Sequence, residues 1–198
     1  LLPRQSAAPF QSALFPCCIE KGLDITYGAA APYLSGSAIL RGVPNVADSL
    51  AAIKKVVFED KKITMEKLID ALDKNFEGEE EVLHLLQRAP KFGNDDDYVD
   101  AITNEVITHV SDVGAKYKRF AGAATIMAID AGQHAIMEGR QIGALPDGRR
   151  AGEAIAESGI CAYQGRDRSG PTALMRSITK IDHLKFTSGD VVNMKFSP

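Results

Sequence analysis

The sequence predicts an α/β protein, and three observations carry that prediction. Short apolar runs bounded by Pro and Gly stand near both ends of the chain, where strands fit them better than helices. Between them, from about residue 45 to 118, apolar side chains recur at helical spacing. Strand-like runs at both ends of a helical middle, with no internal repeat found, complete the pattern.

Taken in order, residues 9–19 (Pro-Phe-Gln-Ser-Ala-Leu-Phe-Pro-Cys-Cys-Ile) are short, apolar and bracketed by prolines, which predicts a buried strand. Residues 28–42 are rich in Gly, Ala, Ser and Pro without periodicity and predict a loop lying on or in the protein. Residues 45–58 predict a helix capped by Asn45, with Asp48 in its first turn and Val46, Leu50, Ile53 and Val57 as one apolar stripe. A second helix is expected from Thr64 to about Phe76, and a third from Glu79 to Arg88, stopped by Pro90. The longest periodic element spans about 97–118, through Val99, Ile102, Val106, Val110, Val113 and Tyr117. Residues 121–137 are mostly small and apolar. Their center reads as a buried strand that places Ala128, Asp130, Gly132 and His134 on one face by the two-residue repeat. Residues 160–163, 173–181 and 191–196 are three further short elements with strand-like content.

The 198 residues suffice for one sizeable core, and 45% hydrophobic with 25% charged content is ordinary for a soluble globular protein. A formal net charge of −3 gives no electrostatic footprint for nucleic acid or an anionic membrane surface. No apolar run approaches the ~20 residues that span a bilayer, so a soluble, cytoplasmic protein without membrane association is expected. Three cysteines, two adjacent at Cys17 and Cys18, make a poor disulfide framework and predict reduced thiols. The chain begins at Leu1 and ends on Val-Asn-Met-Lys-Phe-Ser-Pro, which reads as an internal segment of a longer polypeptide.

The least generic stretch is residues 142–182, with Pro146-Asp147-Gly148 as turn chemistry carrying Arg149 and Arg150. Such a turn suits either anion binding or anchoring onto carboxylates and backbone carbonyls. Elsewhere the residues favour structural roles. His84, His109, His134 and His183 share no metal-ligand spacing, so no metal site is expected. The acidic run Asn94-Asp95-Asp96-Asp97 lacks the glycine and distal glutamate of a calcium loop and fits capping of the next helix. Neither a phosphate-binding glycine loop nor a nucleophile elbow is present. A buried Asp130 or His134 within an apolar strand would need a partner or a function.

Six stretches resemble the glycyl radical enzyme family. They are Phe10-Gln11-Ser12-Ala13-Leu14 with Cys18-Ile19-Glu20-Lys21-Gly22; the run from Asn45 to Lys54; Asn75-Phe76-Glu77-Gly78; Pro90-Lys91-Phe92-Gly93-Asn94-Asp95-Asp96; Gly143-Ala144-Leu145-Pro146-Asp147-Gly148-Arg149; and Gly170-Pro171-Thr172-Ala173 with Ser177-Ile178-Thr179-Lys180-Ile181-Asp182. They occur in the family's order along nearly all of the chain, and jointly they are specific.

The resemblance implies that residues 1–198 are the middle to C-terminal part of a ten-stranded α/β barrel with surrounding helices, usually homodimeric. It implies a lyase in which a glycyl radical, installed after translation by a radical S-adenosylmethionine activating enzyme, works through a cysteine thiyl radical on a small-molecule substrate. No further bound cofactor is implied. Neither the Gly-Cys-Val-Glu-like cysteine motif nor the Arg-Val-x-Gly-Tyr glycine motif occurs here, so no catalytic residue is assigned. Cys18-Ile19-Glu20 matches a second, non-catalytic Cys-x-Glu of the family. By the same resemblance Glu20, Asp130, Gly132 and His134 are pocket candidates, and Asp48, Asn94, Asp147 and Arg149 structural anchors. The implied reaction is C–O, C–N or C–C cleavage of a small or aromatic substrate, of dehydratase or decarboxylase type. Gly28-Ala29-Ala30-Ala31-Pro32-Tyr33 departs from the family's Gly-Gly-Ala-x-Tyr-Asn. That departure leaves a fumarate-adding enzyme as one alternative; a non-catalytic structural fragment is the other.

Overall fold

The structure is a computed structural model that describes residues 7–29, 37–117, 125–129, 134–157, 159–186 and 188–194. The α/β expectation holds: the described residues form helices around a short parallel sheet.

The N-terminal region is helical, contrary to the strand expected for residues 9–19. Helices α1 (Pro9–Ala13) and α2 (Pro16–Lys21) each begin with proline, whose missing N–H costs nothing at a first helical position. The two prolines that suggest strand brackets are helix starts. Asp24 ties this region together by accepting from Ala8 N, Ser12 Oγ, Thr26 N and Thr26 Oγ1 at 2.6–3.0 Å.

Strand β1 (Ser37–Leu40) lies inside the stretch expected to be loop. Helix α3 (Val43–Ala52) comes next and continues as a π-helical segment over Ile53–Glu59. It starts before Asn45: Gly42, at φ +67°, is the cap, and Asn45 lies inside the helix with its side chain buried. Beyond it are α4 (Met65–Asp73), capped by Thr64 Oγ1 accepting from Lys67 N at 3.2 Å, and α5 (Glu80–Arg88). The 19-residue α6 (Asp97–Ala115) is capped by Asp96, whose Oδ1 accepts from Tyr98 N at 3.0 Å. Two of the acidic neighbours, Asp95 and Asp97, pair with Lys180.

Strand β2 (Ile126–Ile129) runs parallel to β1, with Ser37 opposite Ile126 and Leu40 opposite Ile129. Of the face expected from residues 128–134, it includes Ala128. Asp130 and Gly132 lie outside the described residues, and His134 opens a short helix, α7 (His134–Gly139), instead of extending the strand. Residues 173–181, also expected to be strand-like, lie within helix α8 (Pro171–Thr179) and its exit, again with proline at the helix start. Among the described residues no named strand covers 160–163 or 191–194, and residues 195–196 of the third expected element lie outside the described residues. Ile129 exchanges hydrogen bonds with Gly189 and Val191, and Ile160 N donates to Val191 O at 3.0 Å. Among the described residues, extended segments thus lie side by side in the order β1, β2, 188–191 and Ile160.

Two apolar cores result among the described residues. One surrounds the sheet and contains Phe92, Val99, Ile107, Met127, Ile129, Ile160, Leu174, Ile178 and Phe186. The other joins the π-helical segment to α4 and α5 through Val56, Leu68, Phe76, Leu83 and Leu86. Phe76 and Phe92 are fully buried, each contributing about 2–3 kcal/mol of apolar transfer.

Candidate functional site

The turn at residues 145–149 is a buried corner. Gly148 N donates to Leu145 O at 3.0 Å, closing a β-turn, and Leu145 N donates to Arg149 O at 2.9 Å. Asp147, fully buried, accepts from Arg149 N at 2.8 Å and from Asn45 Nδ2 of α3 at 2.6 Å. Arg149 is also fully buried and, among the described residues, its guanidinium donates to backbone carbonyls, chief among them Gly143 O at 2.8 Å, Gly139 O at 2.5 Å, and Glu153 O. Arg150 reaches Asn75 O at 2.8 Å, while Asn75 Oδ1 accepts from Ala151 N at 2.7 Å. The Arg149 fork is thus committed to the scaffold, while Arg150, half-buried, spends one nitrogen on it.

Around the corner stand the other polar anchors. Asp48 Oδ1 accepts from Phe92 N at 2.7 Å, and its Oδ2 has no hydrogen-bond partner among the described residues. Burial pushes the Asp48 carboxyl up from its ordinary range and the neighbouring Lys91 ammonium down. Lys91 Nζ donates to Leu86 O at 2.7 Å and Ala89 O at 3.0 Å. Asn94 bridges two loops, donating to Lys91 O and Arg166 O and accepting from Arg168 N and Ser169 N.

A cavity of about 560 Å³ with a polar and thiol-bearing wall lies beside the far edge of the sheet. Glu157, Cys161, Gln164, Asp167, Asn193 and Met194 contribute to its wall. Cys161 is buried, its Sγ accepting from Asn193 N at 2.9 Å. Burial raises the thiol above its ordinary value, with the fields of Glu157 and Asp167 acting in the same direction against the Asn193 hydrogen bond. Gly159 makes this packing possible. It sits at φ +104°, and a Cβ there would collide with the Val191 carbonyl oxygen.

Glu20 is exposed on α2, and His134 is exposed at the start of α7; neither is among the residues lining this cavity. Asp130 and Gly132 lie outside the described residues. Sequence reasoning missed Cys161 and Asn193. The only local signal was the Gly159 break before Ile160-Cys161-Ala162-Tyr163, and that break does not distinguish a cavity wall from an ordinary core segment. Among the described residues no group of His, Cys, Asp and Glu has metal-ligating geometry, and no helix is long and apolar enough to cross a membrane.

Comparison with known proteins gives this arrangement its class. The family model described as pyruvate formate lyase-like matches residues 3–135. Trans-4-hydroxy-L-proline dehydratase of Clostridioides difficile is 38% identical over 195 residues, covering 96% of this chain and 24% of its own. Isethionate sulfite-lyase of Nitratidesulfovibrio vulgaris is 36% identical over 201 residues, covering 100% of this chain and 24% of its own. Among solved structures, the glycerol-bound B12-independent glycerol dehydratase from Clostridium butyricum superposes with a TM-score of 0.89 at 36% identity, over 93% of this chain and 23% of that one. The chain belongs to the pyruvate formate lyase-like family of glycyl radical enzymes. It spans about a quarter of the length of these relatives.

Proposed function

We propose that this chain is part of a glycyl radical lyase of dehydratase or decarboxylase type, cleaving a C–O, C–N or C–C bond of a small molecule. The observation that carries the reading is the 38% identity to a hydroxyproline dehydratase over 96% of the chain. The named relatives above are dehydratases and a sulfite-lyase, and none is a fumarate-adding enzyme, so that alternative is not kept. In this reading the sheet segments are one arc of a barrel, which supports the expectation that residues 1–198 form part of a single barrel domain.

The radical chemistry would be supplied by a glycine and a cysteine outside these residues, after activation by a radical S-adenosylmethionine enzyme. This chain's part is scaffold and wall. The corner at Asp147 and Arg149, with Asp48 and Asn94, fixes α3 against the loops, and the cavity beside Cys161 meets the substrate. Asp130 and Gly132, next along the chain from β2, remain candidates for the same wall. Glu20 and His134, both exposed in this chain, would join it only through contacts with the rest of the parent protein. The full enzyme is proposed to act as a cytoplasmic homodimer.

Electron paramagnetic resonance of the full-length protein after anaerobic activation tests the reading. A glycyl doublet is expected, and its absence would refute radical chemistry. Cys161→Ala in the same protein should leave the doublet intact while shifting KM or substrate preference. Unchanged kinetics would remove this cavity from the substrate pocket without touching the family assignment.

A further inference from the structure

His183 opens the 3-10 turn His183–Lys185 just after α8, and both of its ring nitrogens face acceptors. Nδ1 lies 2.5 Å from Asp190 Oδ2, and Nε2 lies 2.9 Å from the Ile178 carbonyl oxygen. A carbonyl oxygen only accepts, so Nε2 must carry a hydrogen. An ionised carboxylate also only accepts, and a neutral imidazole has a single N–H to serve both. The pair therefore holds one proton more than neutral imidazole beside ionised carboxylate, whether it is drawn as imidazolium with carboxylate or imidazole with carboxylic acid. Removing that proton sets a ring lone pair against one of the two oxygens.

The surrounding charges are consistent with this. Asp182, beside it in sequence, caps the turn by accepting from Leu184 N at 3.1 Å. From α6, packed against the turn, Asp112 is taken by Lys185 at 2.5 Å and Asn104 Oδ1 accepts from Asp182 N at 2.8 Å. Lys180, just past α8, is committed to Asp95, Asp97 and Asp100. Burial of the ring works against its charge. The Asp190 hydrogen bond, the Ile178 carbonyl and the fields of Asp190 and Asp182 outweigh it, and His183 is raised above its ordinary value.

Asp190 sits where the sheet is joined. It bridges Ile129 at the end of β2, Val191 O receives Ile160 N, and Asn193 N reaches Cys161 Sγ. We propose that His183 and Asp190 form a proton-dependent clasp. Protonated, it fixes the 188–194 segment between β2 and Ile160; deprotonated, it frees that segment together with the cavity wall carrying Asn193. The His183 side chain keeps 39% of its surface accessible, so the proton exchanges with solvent without unfolding. Because the folded-state value is raised, the clasp is complete below the ordinary histidine value of 6.5 and is lost as pH rises through the raised one. The clasp stands whatever the cavity binds.

Hydrogen–deuterium exchange on the full-length protein, corrected for intrinsic rates, tests it. Protection of residues 188–194 should fall roughly fivefold or more with rising pH, with a midpoint above 6.5, while α4 and α5 stay unchanged. His183→Gln and Asp190→Asn should each show the weakly protected segment at every pH, with no midpoint. A wild-type segment without a midpoint, or a midpoint that survives in His183→Gln, overturns the clasp. Should either variant fail to fold, NMR of the wild-type pair decides. A proton on both ring nitrogens, or a neutral ring beside a protonated Asp190 carboxyl, supports the clasp at neutral pH; a neutral-tautomer 15N signature together with an ionised-carboxylate 13C shift at Asp190 refutes it.

Discussion

Asn45 and Asp147 stand 102 residues apart in sequence and share a buried hydrogen bond of 2.6 Å. The same asparagine accepts from Ala156 N at 2.5 Å, so one side chain fastens helix α3 to both sides of the corner. Asn45→Ala leaves a buried carboxylate oxygen and a buried N–H without partners. The expected loss is about 2–4 kcal/mol of unfolding free energy in urea titration. Asn45→Asp, which sets a second carboxylate against Asp147, should do no better.

Arg149 is the second test of the corner. Arg149→Lys keeps the charge but not the planar fork, and a single ammonium cannot reach carbonyls on several sides; a loss of roughly 2 kcal/mol or more is expected. Arg149→Ala should lower the thermal midpoint before it lowers substrate affinity in the full-length enzyme. The opposite order in melts and binding assays would restore the anion-binding reading of this turn.

Gly159→Ala should destabilise by roughly 3 kcal/mol or more, because the position combines a left-handed backbone with a collision against the Val191 carbonyl. Gly165→Ala is its control. That glycine also has positive φ, but nothing lies within 4 Å of an added Cβ. Only backbone strain, about 1 kcal/mol, is expected there. Equal melting points for the two variants would argue against the close approach of Gly159 to Val191.

The Asp24 cluster predicts an acid-labile N-terminal region. Hydrogen bonds from Thr26, then from Ser12 and Ala8, hold the Asp24 carboxyl below its ordinary value of 3.8, against the opposing effect of burial. A depressed folded-state value means that its contribution is present above 3.8 and is lost as pH falls through the lower value. Exchange protection of residues 8–29 should therefore drop in acid before that of α6. Asp24→Ala should show the lowered protection already at neutral pH.

The helices of the middle were legible, their buried faces less so. Thr64 caps α4 where the apolar stripe begins. Val46 and Leu50 of the stripe expected in α3, however, are exposed, while Asn45, Ala47, Asp48 and Ala51 are buried. Of the stripe expected in α6, Val99 is buried while Tyr117 is exposed, the buried face running through Thr103, Ile107 and Ser111 instead. Proline misled near the start of the chain. Pro9 and Pro16 look like strand brackets until their helices show them to be first-turn residues, and Pro171 likewise starts the helix that covers most of residues 173–181, a distinction that rests on tertiary packing and not on the proline itself. Asn45 failed as a cap because its amide is needed 102 residues away, and no local rule reports that. The cavity was illegible for a related reason: Cys161 and Asn193 meet only through the placement of residues 188–194 beside Ile160, a long-range pairing without a sequence period.

A single guanidinium gathers carbonyls from Gly139, Gly143 and Glu153. Its span is set by covalent geometry and does not stretch, so the number of residues between those acceptors is gauged by one side chain. A residue inserted between 143 and 149, or between 149 and 153, would carry an acceptor out of reach, and no neighbouring helix could absorb the slack. Asn94 gauges the following turn in the same way through Arg166 O, Arg168 N and Ser169 N. Length variation should be excluded from both, which makes the spacing of this stretch as diagnostic as its residues.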